Sequence, residues 1–139
     1  MELRLSGLLL CALLTVSTAL AQEPVAEGQE GGAYTSTYGQ CMDASGGVTA
    51  AMLDCMAAEM QVQDARLNAS YQQLLKTSAP TRQEQLKKVQ RAWVSFRDLN
   101  CDFYAEPDGG SMVTLSVNGC LLEMTAVRAD ELSGLLPPE

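Results

Sequence analysis

The chain has 139 residues, 17 acidic against 9 basic, a formal net charge of −8 and no histidine. That acidity disfavours nucleic acid and anionic membrane surfaces as partners and favours a cationic protein, besides maintaining solubility. Without histidine the usual general base, the Ser-His and Cys-His pairs and the commonest zinc ligand are missing, so no enzyme, metal site or cofactor is expected.

Met1 to Arg4 is a short, weakly positive start, and Leu5 to Val16 is an apolar run too short to span a bilayer. Ala19-Leu20-Ala21 then supplies small residues of the kind a signal peptidase reads. Residues 1–21 are therefore expected to be a signal peptide cleaved before Gln22. Cys11 lies inside the apolar run behind Leu10, which is not small, so lipidation is not expected. Removing 21 of the 139 residues leaves 118, enough for one domain, and the charge stays at −8 because Glu2 and Arg4 cancel. The expected product is periplasmic or secreted and has no membrane span. In such an oxidising compartment Cys41, Cys55, Cys101 and Cys120 point to two disulfides. There is no Cys-x-x-Cys, hence no thioredoxin-like motif.

Residues 22–40 mix Glu, Gly, Gln, Thr and Ser without periodicity and read as a flexible leader. Ser45-Gly46-Gly47 is a turn, and Thr49 is placed to cap a helix running to about Thr77. Met52, Met56, Met60 (or Glu59), Gln63, Leu67, Tyr71 and Leu74 give that helix its inner face. Pro80 ends it, and Thr81 with Glu84 forms a capping box for a second helix to about Tyr104. On this helix Trp93 and Phe96 are expected in the core. Glu106-Pro107-Asp108-Gly109-Gly110 is a turn, and Ser111 is the natural cap of a third helix. Its apolar face runs through Met112, Leu115, Gly119, Leu122 and Ala126, with Val127 and Leu132 added, and it fades near Gly134. The expected fold is all-α, a small bundle of one long antiparallel hairpin plus a third helix, stapled by two disulfides.

Four cysteines allow three connectivities. Counting rise along the helices favours Cys55–Cys120 with Cys41–Cys101, and next Cys55–Cys101 with Cys41–Cys120. Asp64 and Arg97 lie at similar depth on either side of the hairpin apex. They read as a half-buried ion pair with Asn68 and Gln90 as neighbours, or alternatively as a charged binding site. Thr125 and Arg128 carry the same ambiguity. Asn68-Ala69-Ser70 matches a glycosylation sequon, a weak signal in mid-helix.

Four ordered blocks carry a resemblance. They are Asp64-x-x-Leu67-Asn68-x-x-Tyr71, Gln90-x-x-Trp93-x-x-x-Arg97-x-x-x-Cys101, Gly109-Gly110-Ser111, and Cys120-Leu121-x-x-x-Thr125-x-x-Arg128. Together they resemble the bacterial LprI-like lysozyme-inhibitor domain over roughly residues 41–133. The resemblance implies a helical, disulfide-bonded, exported domain, here at 41–134 with a short tail at 135–139. It implies an inhibitor that binds a cationic muramidase such as lysozyme and blocks its cleft. The alternative is a structural or adaptor protein of the bacterial envelope. No inhibitory contact is defined by the motif, whose residues (Asp64, Leu67, Asn68, Tyr71, Gln90, Trp93, Arg97, Gly110, Ser111, Thr125 and Arg128) read as core, caps and bridges. The contact surface is expected elsewhere, on polar faces and loops.

Overall fold

The computed structural model describes residues 34–106 and 108–137. The expected signal peptide and the leader up to residue 33 lie outside the described residues. Four helices follow in chain order: α1 (Ser36–Ala44), α2 (Thr49–Thr77), α3 (Pro80–Asp102) and α4 (Gly110–Gly134). The fold is all-α, as expected. Among the described residues no helix is long and apolar enough to cross a membrane.

The end of the expected leader is folded, because residues from Ser36 onward form α1. Thr35 caps it, its hydroxyl accepting from the Tyr38 amide at 3.1 Å. Gly46 and Gly47 then adopt positive φ (58° and 79°), which a side chain would resist, and the chain reverses. The Ser45 hydroxyl donates to the Met42 carbonyl at 2.7 Å and tightens this turn. α1 therefore folds back on α2.

The later helices start differently from the side-chain caps expected. Val48, Ala79 and Gly109 are the N-caps, none with a side-chain hydrogen bond. Thr49, Thr81 and Ser111 lie inside their helices. Pro80 takes the first position of α3, where its fixed φ suits the helix and its missing N–H is not needed. Gly110 opens α4 at φ 61°, a conformation that favours glycine.

α4 packs chiefly on α2, while α3 leans on α4 and barely touches α2. The hairpin arms are thus splayed. Ala126 and Ala129 are buried and small, which lets the α2 and α4 backbones approach closely. Leu67 and Leu74 of α2 meet Ala129 and Leu132 of α4, with Tyr71, Leu86, Trp93 and Leu136 packed against them. Cys101 is the only buried residue of α3. Phe96 is not in the core, being 59% exposed, and Met112 is likewise exposed. At 3.6 residues per turn Phe96 sits about 60° round the helix from Trp93, enough to clear α4 when no other helix covers that side.

The disulfides are Cys41–Cys55 and Cys101–Cys120, with Cα separations of 5.7 and 5.5 Å. This corrects both favoured pairings, since each bridge joins consecutive helices. Helical rise along α2 and α4 could not reveal that α1 exists and carries Cys41 back alongside Cys55. Nor could it show that α4 brings Cys120 against the last turn of α3.

A polar seam crosses the otherwise apolar interface. Glu59 is buried and accepts from the Thr35 amide at 2.9 Å, the Thr35 hydroxyl at 2.5 Å and the Gln63 side-chain amide at 2.6 Å. Gln63, fully buried, accepts in turn from Arg66, which also bridges to Asp130 of α4. Burial alone would raise the Glu59 carboxyl. The Thr35 hydroxyl and amide, the Gln63 amide and the Arg66 charge outweigh it and hold the group below the ordinary carboxylate value. The Tyr34 hydroxyl hydrogen-bonds Glu123 of α4, and burial followed by that acidic neighbour pushes its pKa up.

Candidate functional site: the groove between α2 and α3

Because the hairpin is splayed, its two arms enclose an open groove of about 590 Å³. On α2 the lining residues are Asp64, Leu67, Asn68 and Tyr71, at i, i+3, i+4 and i+7. On α3 they include Gln90, Trp93, Val94 and Arg97, at the same spacing. That spacing places each set on one helical face, so two matched stripes look at each other across the gap. Seven of the family-motif residues line this groove. Leu67 forms the buried floor, but Asp64 and Asn68 are exposed on the wall.

The expected Asp64–Arg97 ion pair does not form. Arg97 donates instead from Nε and Nη2 to Asp98, at 3.0 and 2.8 Å, and from Nη1 to the buried Thr125 hydroxyl at 3.2 Å. The reason is the splay: α4, not α2, is the helix within reach. Among the described residues the Asp64 carboxylate has no hydrogen-bond or ion-pair partner.

Two arginines pack on Trp93. The guanidinium carbons of Arg97 and Arg128 lie 5.3 and 5.7 Å from the indole centroid. Arg128 is held by Gln90 at 3.2 Å and Glu131 at 2.8 Å. Each stacking contributes about 1 kcal/mol at partly exposed sites. Arg128→Met, which keeps the stem but removes the charge, should therefore cost about 1–2 kcal/mol in urea unfolding. The stack fixes Trp93 as the rigid back wall of the groove. Thr125 and Arg128 are thus supports behind the groove rather than parts of its lining, and Gly110 and Ser111 lie outside it.

Lys87, Arg91 and Ser95 also line the groove and were not singled out in the sequence. Lys87 is bridged to Glu84 at 2.7 Å. The groove thus offers the Asp64 carboxylate, an amide pair, a tyrosine hydroxyl and three cations around an aromatic wall. This suits reversible binding of a polar segment.

The helices, their two bridges and this groove define a disulfide-stapled all-α domain with a cleft open to solvent. The family model Lysozyme inhibitor LprI matches residues 41–132, and the chain belongs to that family. An uncharacterized protein of Rhizobium meliloti (strain 1021) is 34% identical over 96 residues, covering 59% of this chain and 69% of the relative. No solved structure matches. The family and the disulfides are consistent with an exported protein.

Proposed function

We propose that this protein is an exported inhibitor that binds a cationic muramidase such as lysozyme and blocks its cleft. The observation that carries the reading is the family match over residues 41–132. The net charge of −8 supports it, since an acidic inhibitor is steered toward a cationic enzyme. The α2–α3 groove is the contact site. A loop of the enzyme enters it, a lysine or arginine of that loop meets Asp64, and Asn68, Gln90 and Tyr71 supply hydrogen bonds. The rigid domain held against the enzyme then excludes its polysaccharide substrate.

The test is lysis of bacterial cell walls by lysozyme across a salt series. Inhibition should be strongest at low salt and weaken as salt rises through the physiological range. Asp64→Ala should weaken inhibition about tenfold, the equivalent of one charge-assisted contact, without lowering the melting temperature. Absence of inhibition at large molar excess and low salt would refute the reading.

A further inference from the structure

α3 presents a second, outward stripe that the groove does not use. Val89, Ala92, Phe96, Leu99 and Phe103 recur at alternating steps of three and four, the spacing of a coiled-coil seam. All five are exposed, the large ones at 47, 59, 74 and 85% for Val89, Phe96, Leu99 and Phe103. None lines the groove. So continuous an apolar stripe is unusual on a charged monomer and marks an interaction surface.

The charges beside the stripe select its occupant. Lys88 flanks its first half and stands in no salt bridge among the described residues, while Asp102 flanks its second half on the same side. We infer that the stripe pairs with the same stripe of a second copy, α3 against α3 in antiparallel orientation. In that register Val89 faces Leu99 and Ala92 faces Phe96 of the second copy, about a two-fold axis near Val94. Lys88 then lies beside Asp102 of the other copy. Parallel pairing would set Lys88 beside Trp93 of the other copy, with no opposite charge to meet, and is disfavoured. The apolar surface continues from Val89 to the exposed Leu135 of α4, along a smaller groove of about 330 Å³.

One helix pair is a small interface, so dissociation belongs in the micromolar range. Sedimentation velocity of the purified protein from about 1 to about 200 μM should show a monomer passing to a dimer. Leu99→Glu, at an exposed position, should leave the circular dichroism unchanged and the protein monomeric throughout. Lys88→Glu should weaken the dimer about tenfold, and adding Asp102→Lys in the same chain should restore it by exchanging the two charges. A monomer at every concentration overturns the inference. So does a dimer that Leu99→Glu leaves intact, or one that the charge exchange fails to rescue.

Discussion

Replacing Cys101 and Cys120 together by serine is expected to lower the unfolding free energy by about 3 kcal/mol. The bridge closes a loop of 19 residues, and the chain-entropy account gives about 3 kcal/mol for a loop of that length. In a domain of this size that corresponds to a fall in melting temperature of about 15 °C. Thermal unfolding of the variant and the parent, followed by circular dichroism, measures it. Cys101 is buried against α4, so the variant also leaves a hydroxyl in a poorly hydrated site beside Met124. The effect should therefore not fall below the entropic figure. The connectivity itself has a separate readout. Trypsin cuts after Arg66, Arg97 and Arg128, so Cys41 and Cys55 share one peptide while Cys101 and Cys120 share another. Without reduction these two peptides should remain separate. Either of the other connectivities would join them into one species.

Glu59→Ala is expected to cost about 3 kcal/mol in urea unfolding, among the larger effects of a single substitution. Glu59 receives three hydrogen bonds, two from Thr35 at the start of α1 and one from Gln63. Its removal takes the shared carboxylate acceptor away from the fully buried Gln63 amide and from both Thr35 donors. α1 would then stay tethered by Cys41–Cys55 yet lose the contact that seats its N-terminus, so hydrogen exchange in residues 35–44 should rise more than elsewhere. The same carboxylate makes stability depend on pH. Its pKa is lower folded than unfolded, so its contribution is fully present above the ordinary value of 4.5. The contribution is lost as pH falls through the lower folded value. The gap between parent and Glu59→Ala should accordingly be constant from neutral pH down to about 5 and narrow below that. A gap that widens on acidification would contradict the assigned hydrogen bonds.

Some of this was legible locally. Leu67, Leu74, Leu122, Ala126 and Leu132 repeat at helical spacing, and each lies on the buried face that its period implies. Pro80 and the glycine turns divided the chain into its longer helices within about two residues. α1 escaped because Thr35 caps a nine-residue helix whose sequence has little apolar period. It is held by contacts to Glu59, distant in sequence, rather than by its own propensity. The groove was half legible. Asp64, Leu67, Asn68 and Tyr71 carry the spacing of one face, but an exposed face and a buried face look alike until the neighbouring helix is placed.

The sequence by itself determined an acidic, all-α domain with four cysteines after its apolar start, because composition and helical period are properties of neighbouring residues. Only the tertiary structure decided which cysteines pair, that Arg97 turns to Thr125 instead of Asp64, and that Phe96 faces water. Each of these depends on α4 lying against α2 and splaying α3 away. That arrangement is set by the close fit of Ala126 and Ala129 over distances in sequence that no local pattern spans.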